Sequence, residues 1–294
     1  MKITIYNSWL HRFGFYIRRQ ILHPNFNALL VAKKNGKLEF QSLKNYETRN
    51  ESTAKIISRA DQLYNFKNFD WILINTDDKD IGKEYQGLKV FAYSTGSQDY
   101  SHVCPDWTFD SWVQVQIDDY EQISEEMAVL GDLPPSSNLM GWRGAITHPN
   151  RSRLLRYTDK NKYDIEEIRW NRRNPNKLTG TNYVSIPDTV KKWRYLIDVE
   201  GNGFSTRVKL FLFSKRVLFL QERPYKEWYY SKLQPWVHYV PLNRDLSDLD
   251  HHFDIIKKDS KLEDEIRNNA FDFARNNLKI EHALKRWSDL INAL

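Results

Sequence analysis

The stretch YLIDVEGNGFSTRVK, residues 195–209, combines an apolar strand, a turn with two glycines and the start of a basic helix. Gly201 and Gly203 allow the backbone to approach a ligand closely, and free amides at a helix start attract anions. Ser205 can cap the helix or bond to an anion, and Arg207 can hold a diphosphate through two hydrogen bonds. The stretch predicts a strand–turn–helix unit of an α/β sheet. A phosphate site is one interpretation, and an ordinary connection with a surface arginine is the other.

The first half of the chain shows the same alternation of strands and helices, which is typical of an α/β layer. The spacing of apolar residues predicts strands at 2–6, 29–33, 38–40, 70–75 and 88–93 and a helix at 53–66. Asn35-Gly36 lies between two of these strands and predicts a hairpin.

An acidic cluster directly follows the apolar run at residues 70–75. Open α/β sheets bind their ligands beyond the carboxyl ends of strands, so Asp77 and Asp78 are both candidates for a general base. The alternative is an exposed acidic turn. Asp78 and Asp80 flank Lys79; we interpret this spacing as a surface acidic turn, and a metal-binding pair is the less favoured alternative. No His or Cys cluster has metal-ligand spacing, so we expect no metal site.

The composition turns to Pro and Ser at residues 131–138, which is typical of a linker. Beyond it, the basic segment 172–181 predicts an exposed loop. Further patterns predict strands at 193–199, 217–220 and 236–240 and helices at 206–212, 246–257, 262–278 and 281–294. The 294 residues therefore predict two domains, 1–135 and 136–278, with a C-terminal helix at 279–294 that can pack back on the first domain.

Two further motifs contain candidate binding residues. Arg143 lies beside Gly144 in the sequence GWRG and can reach into a cleft between domains, or it can lie in a solvated turn. Glu227 precedes the aromatic residues 228–230 and can bind sugar or ribose hydroxyls. The alternative for that segment is an aromatic core layer.

The bulk properties narrow the function classes only slightly. A net charge of +6 favours partners that carry phosphate, which include nucleotide diphosphates, nucleic acids and anionic membranes. The chain has one cysteine, shows no signal sequence and has no apolar stretch of membrane-spanning length, so we expect a cytoplasmic protein without a transmembrane segment.

The ordered motifs of the second half resemble glycosyltransferase family 90, the capsule-associated and protein O-glucosyltransferase family. The resemblance includes Gly201, Ser205, Arg207 and Lys209 in the opening stretch. It continues with these segments: EWYY at 227–230, LQPWVHYVP at 233–241 and DLSDL at 245–249. Upstream, it includes INTDD at 74–78, PDWTF at 105–109 and WRG at 142–144. The similarity covers roughly residues 70 to 280, and the first 65 residues are unmatched.

This resemblance implies an α/β, GT-B-like fold with two Rossmann-like domains that face a central cleft. It implies inverting transfer of a sugar from a UDP-sugar donor, without metal or other cofactor, with xylose slightly favoured over glucose. Asp78 falls on the position of the catalytic base, and Arg143, Ser205 and Arg207 fall on nucleotide and phosphate contacts. To this donor site we add the flanking residues and the candidate hydroxyl ligand: Gly144, Gly201, Gly203 and Glu227.

The chain also departs from the family pattern. Lys79-Asp80 stands where eukaryotic members often carry Tyr-Pro, and the disulfide cysteines of those members are absent. We therefore expect a relative from a bacterium or a large virus, with a glycan acceptor such as lipopolysaccharide, capsule or a viral glycoprotein glycan. Two alternatives are kept: a protein that binds nucleic acid, although no known module is present, and a catalytically inactive relative that binds glycans.

Overall fold

A computed structural model describes residues 25–46, 48–168 and 182–294. The predicted strand at 2–6 and the predicted loop at 172–181 lie outside these residues. The chain divides into two compact units. The first unit comprises Met1–Ser111, Tyr225–Trp228 and Glu281–Leu294, and the second comprises Trp112–Pro224 and Tyr229–Ile280. The division after Ser111 precedes the expected boundary at residue 135.

The first unit contains a mixed five-stranded sheet in the order β2-β1-β3-β5-β4. Its elements are β1 (Ala28–Lys34), β2 (Lys37–Lys44), α1 (Arg49–Tyr64), β3 (Phe69–Asn75), β4 (Glu84–Tyr85) and β5 (Leu88–Ala92). Only β3 and β5 pair in parallel, and the other described pairs are antiparallel. Asn35 and Gly36 both have positive φ angles, 51° and 75°, which suit the tight turn between β1 and β2 and confirm the predicted hairpin.

The second unit contains a five-stranded sheet in the order β10-β9-β8-β6-β7, and its described pairs are all parallel. Its strands are β6 (Ser137–Gly144), β7 (Tyr163–Glu167), β8 (Trp193–Asp198), β9 (Val217–Gln221) and β10 (Val240–Leu242). The helices are α2 (Tyr120–Gly131), α3 (Pro149–Leu154), α4 (Ile186–Lys192), α5 (Arg207–Phe213), α6 (Leu249–Lys258) and α7 (Ser260–Asn277). The α/β fold class with two sheets is therefore confirmed.

Aromatic side chains fill the core of the second unit. Phe253 of α6 packs against Tyr163, Tyr195 and Phe219, with ring centroids 5.2 to 6.2 Å apart. Each of these rings comes from a different strand of the sheet. The helix therefore covers β7, β8 and β9 through one buried side chain.

The last helix, α8 (Ile280–Asn292), belongs to the first unit from Glu281 onward. Trp287 of this helix lies edge to face with Phe91 of β5, and Arg286 donates to the carbonyl oxygen of Val103 at 3.1 Å. Among the helices that the structure describes, none combines the length and apolar character required to cross a bilayer.

The predicted strand at 236–240 is wrong over most of its length. Only its last residue, Val240, begins a strand, and Trp236 has a positive φ of 61°. The amide of Trp236 donates to the carbonyl of Tyr239 at 2.8 Å, which closes a turn. Pro235 has no amide hydrogen to offer a sheet, so the aromatic pattern here belongs to a turn and not to a ladder.

Gly141 provides a test of the packing between β6 and β8. A Cβ atom at this position would lie 1.7 Å from Cδ2 of Trp193, a fully buried side chain. The ring or the strand would have to move, so we expect Gly141→Ala to lower the free energy of unfolding by about 1–3 kcal/mol. Urea unfolding measures this loss.

Gly96→Ala is the matched control, because its Cβ would meet the Tyr225 ring at an ordinary 3.6 Å. Its free energy of unfolding should stay within about 0.5 kcal/mol of the parent value. Equal stability of the two variants would contradict the tight packing of β6 on β8.

Candidate functional site

The carboxyl ends of β6, β8 and β9 lie at one edge of the parallel sheet in the second unit. The sheet extends from β6 in both directions, to β7 on one side and to β8 on the other. Connections that leave neighbouring strands in opposite directions open a crevice at this edge, which is where open α/β sheets bind ligands. The side chains that follow these three strands therefore line the candidate site.

A carboxylate with no solvent exposure, Asp198, ends β8. Its Oδ1 lies 2.8 Å from Nη2 of Arg223, and its Oδ2 lies 3.0 Å from Nη2 of Arg207. The Ser205 hydroxyl donates to Oδ2 at 3.0 Å. Burial would raise the pKa of Asp198, but Arg223 and Arg207 lower it below its ordinary value. Asp198 is therefore held as a carboxylate.

A third guanidinium, that of Arg151, approaches the same carboxylate. Arg151 donates from Nε to the carbonyl of Glu200 at 3.1 Å and from Nη1 to the carbonyl of Ala145 at 2.9 Å. Burial and the nearby cation of Arg207 lower the pKa of Arg151 to about 10. We refer to these groups as the arginine cluster: Arg151, Arg207, Arg223 and Asp198.

The arginine cluster carries more positive than negative charge, because three guanidinium groups face one carboxylate. Nη1 of Arg223 is buried and makes no hydrogen bond with the residues that the structure describes. Cations that repel one another in a low-dielectric site are stabilised by a bound anion. The cluster is therefore suited to phosphate.

Glu200 fixes the turn beside this cluster. Its buried Oε1 accepts a hydrogen bond from Nδ2 of Asn150 at 2.6 Å and lies 3.3 Å from both Nε2 of His148 and Nε of Arg244. The Glu200 amide donates to Oε1 of Gln221 at 2.9 Å. The residues after β6, β8 and β9 are thereby tied to one another.

The glycines and Ser205 of the opening stretch lie at this edge of the sheet. A Cβ on Gly201 would approach Nη2 of Arg151 to 2.9 Å, so a larger residue would displace the guanidinium. Gly203 is buried in the bend that leads to α5. Ser205 bonds to Asp198 and does not cap the helix, which has Thr206 at its N-cap.

Arg143 and Gly144 end β6, but the Arg143 side chain is engaged elsewhere. Its guanidinium donates to Oδ1 of Asp164 at 2.7 Å and to the carbonyl of Asn182 at 3.1 Å, and it stacks on Trp193 at 5.0 Å. Its contact with the arginine cluster is through the backbone, since its carbonyl accepts a hydrogen bond from Arg207 at 2.9 Å.

The absence of a side chain at Gly144 allows the ring of Trp142 to pack closely against the backbone. A Cβ at this position would lie 2.5 Å from the ring of Trp142, whose side chain is fully buried. Both this glycine and the Arg143 guanidinium therefore support the end of β6 rather than offering a free group to a ligand.

Glu227 belongs to the first unit and not to the sheet of the second. Its segment, Tyr225–Trp228, joins the first unit through Lys226, which exchanges backbone hydrogen bonds with Thr95 at 2.9 and 3.0 Å. The Glu227 side chain is almost completely buried. Glu227 is thus assigned to a different unit from Arg143, Ser205 and Arg207.

Asp78, the candidate base, lies in a bend directly after β3 of the first unit. Its Oδ1 lies 2.9 Å from Nη1 of Arg49, and its side chain is 29% exposed. Oδ2 makes no hydrogen bond to any residue that the structure describes. Asp77 differs, since its Oδ1 accepts the backbone amide of Asp78 at 3.0 Å.

Buried amide side chains fix the bend that carries Asp78. Asn75 donates from Nδ2 to the carbonyl of Lys79 at 2.7 Å and accepts the amide of Asp77 at 3.1 Å. The Thr76 hydroxyl donates to Oδ1 of Asn50 at 2.8 Å. This network holds the loop against β3 and α1.

Asp80 is engaged away from Asp78. Its Oδ2 lies 3.1 Å from Nε2 of His102, and its Oδ1 accepts the amide of Gly82 at 2.8 Å. Burial would raise the pKa of Asp80, but the hydrogen bonds from His102 and Gly82 lower it. Across the described ranges, no three His, Cys, Asp or Glu residues are grouped as metal ligands would be.

Sequence reasoning missed Asp198, Arg151 and Arg223 as site residues. Asp198 had a signal, since a charged residue that ends an apolar run next to glycines is unusual for a buried strand. Arg151 and Arg223 lie in unremarkable polar segments, and only the fold brings them to the same carboxylate.

Residues 60–293 match the family model of glycosyl transferase family 90. Human protein O-glucosyltransferase 1 is 23% identical over 221 residues, which cover 70% of this chain and 56% of the relative. O-glucosyltransferase rumi of Drosophila melanogaster is 26% identical over 223 residues, which cover 70% of this chain and 54% of the relative. The chain thus spans about half the length of the curated relatives it matches.

Among solved structures, the C-terminal domain of a group 1 family glycosyl transferase (LpcC) from Francisella tularensis aligns with a TM-score of 0.37 and 12% identity. That alignment covers 57% of this chain and 96% of the domain.

Proposed function

Because the chain belongs to glycosyl transferase family 90, we propose that it transfers glucose or xylose from a UDP-sugar to a hydroxyl group of a glycan acceptor. The names of the two O-glucosyltransferase relatives favour UDP-glucose as the first donor to test. Lipopolysaccharide, capsule and viral glycoprotein glycans are the acceptor classes to examine with it.

The arginine cluster at the sheet edge is the observation that carries this proposal. In it, guanidinium groups that outnumber carboxylates surround the end of β8. A diphosphate there would neutralise the excess charge, and the same groups would stabilise the charge that develops on UDP as it departs. Arg207, with part of its side chain exposed, and Arg151 would contact the phosphates, while Asp198 and Ser205 would orient Arg207.

Asp78 would act as the base in a single-displacement, inverting reaction. An acceptor hydroxyl has a pKa far above neutrality, so it attacks an anomeric carbon poorly unless a base removes its proton as the bond forms. In Asp78, Oδ1 is held by Arg49 and Oδ2 makes no hydrogen bond within the described part of the chain. Oδ2 would therefore receive the proton.

The first prediction concerns Arg207. We expect Arg207→Ala to weaken UDP binding by about 1.5–3 kcal/mol, the scale of a lost hydrogen bond to a charged group. Isothermal titration calorimetry with UDP measures the affinity. Arg275→Ala, an exposed arginine on α7, is the control and should bind as the parent does. Unchanged affinity in a folded Arg207→Ala variant would exclude the arginine cluster as the diphosphate site.

The second prediction concerns Asp78. Asp78→Asn preserves the size of the side chain and removes its basicity, so we expect turnover to fall roughly 10²–10⁴-fold with UDP affinity unchanged. UDP release from UDP-glucose, with water as acceptor, measures turnover. Asp77→Asn is the control and should cost much less. Normal turnover in Asp78→Asn with an inactive Asp77→Asn would assign the base to Asp77.

The third prediction concerns divalent metal. Guanidinium groups can supply the charge that a metal ion would otherwise provide at a diphosphate. We expect UDP release from UDP-glucose to proceed at an unchanged rate in excess EDTA. Loss of activity on chelation, with recovery on addition of manganese or magnesium, would overturn the metal-independent mechanism.

A further inference from the structure

The residue that holds the Asp78 carboxylate comes from outside the part of the chain that matches the family model. Arg49 is the first residue of α1, whereas the match begins at residue 60. Its Nη1 lies 2.9 Å from Oδ1 of Asp78, and only 7% of the residue is exposed. An ion pair with one buried partner is screened less than a surface pair and has fewer alternative geometries.

The Arg49 guanidinium is itself fixed from several directions. Nη1 also donates to the carbonyl of Thr76 at 2.9 Å, two residues before Asp78. The guanidinium lies over the ring of Trp107 at 4.1 Å and over that of Tyr46 at 5.0 Å. The planar group therefore cannot turn away from Asp78 without losing its contacts with both rings.

A carboxylate in a bend needs such a partner if it is to act as a base. Without one, Asp78 could rotate about two side-chain bonds, and its oxygens would point toward the acceptor for only part of the time. Arg49 lies 2.9 Å from Oδ1, and Oδ2 makes no hydrogen bond within the described part of the chain. General-base catalysis requires approach of the accepting oxygen to about 3 Å from the hydroxyl.

We propose that Arg49 is a positioning residue, which fixes the Asp78 carboxylate through Oδ1 so that Oδ2 receives the proton of the acceptor hydroxyl. This inference rests on the proposed function, in which Asp78 is the base. The segment that precedes the family match would then complete the acceptor side of the site.

A double-mutant cycle separates positioning from a general structural role. Arg49→Met is introduced into the parent protein and into Asp78→Asn, and UDP release from UDP-glucose is measured in both. In the parent we expect kcat to fall roughly 10- to 100-fold, the scale of a small displacement of a reacting group, with KM for UDP-glucose little changed. In Asp78→Asn, the same substitution should change kcat by less than about twofold, because the base is already lost.

Two further variants keep the comparison interpretable. Arg59→Met makes the same substitution at an exposed position of the same helix and should leave kcat unchanged. Arg49→Lys preserves the charge but not the planar group, so it should retain more activity than Arg49→Met. The smaller loss of kcat in Arg49→Lys should also disappear when the substitution is made in Asp78→Asn. Arg49→Lys therefore gives the same test if Arg49→Met does not fold.

The outcomes distinguish this inference from the function on which it rests. Equal losses of kcat in both backgrounds would assign Arg49 a structural role and overturn the inference. Full activity in Arg49→Met beside an inactive Asp78→Asn would also overturn it and leave the proposed base intact. Full activity in Asp78→Asn would instead overturn the proposed base, and the inference with it.

Discussion

The buried carboxylate of Asp198 is the constraint on which the arginine cluster depends. A carboxylate without solvent contact costs several kcal/mol to desolvate, and loss of one partner of such a buried pair costs about 3–5 kcal/mol. Asp198 therefore requires Arg223 and Arg207, which come from the segment after β9 and from the start of α5. Arg223 also donates to the Asp198 backbone carbonyl at 3.0 Å. The turn after β8 and the turn after β9 are consequently fixed together.

The same constraint explains why positive charge collects at this edge. One arginine would satisfy one carboxylate, but Arg151 is also close enough that repulsion contributes to its lowered pKa. Replacement of such a buried charged cluster by apolar side chains of similar volume often raises the free energy of unfolding. A bound anion would supply the negative charge that the cluster lacks.

Local sequence patterns predicted the strands of the two sheets better than they predicted which residues form the candidate site. The hairpin at Asn35-Gly36 and strand β8 follow from turn chemistry and apolar runs, which are properties of neighbouring residues. The arginine cluster depends on contacts between residues far apart in the chain, which a single sequence does not show. Arg143 illustrates a second limit: alternate side chains of a strand point to opposite faces, and the motif does not tell which face binds the ligand.

The bend after β3 shows the same difference between local and long-range information. The buried strand before it indicated Asp77 and Asp78 equally, and the family resemblance selected Asp78, whereas its ion-pair partner Arg49 lies on a helix in a segment without a family motif. The buried amide of Asn75 fixes the bend through hydrogen bonds to backbone groups, and that of Asn50 accepts a hydrogen bond from the Thr76 hydroxyl. Such amides determine where the Asp78 carboxylate is held.

The division of the first unit into three separate chain segments has a consequence for biosynthesis. The ribosome delivers the strands of this unit first, but the unit also includes Tyr225–Trp228 and the helix from Glu281 onward. Until that helix emerges, Phe91 lacks the Trp287 ring and the Val103 carbonyl lacks the Arg286 guanidinium. Contacts between residues so far apart in the sequence form slowly during folding. Apolar surface that stays exposed during translation is prone to aggregation. The first unit therefore completes its packing only after its last segment has been synthesised, whereas the second unit is almost continuous in the chain.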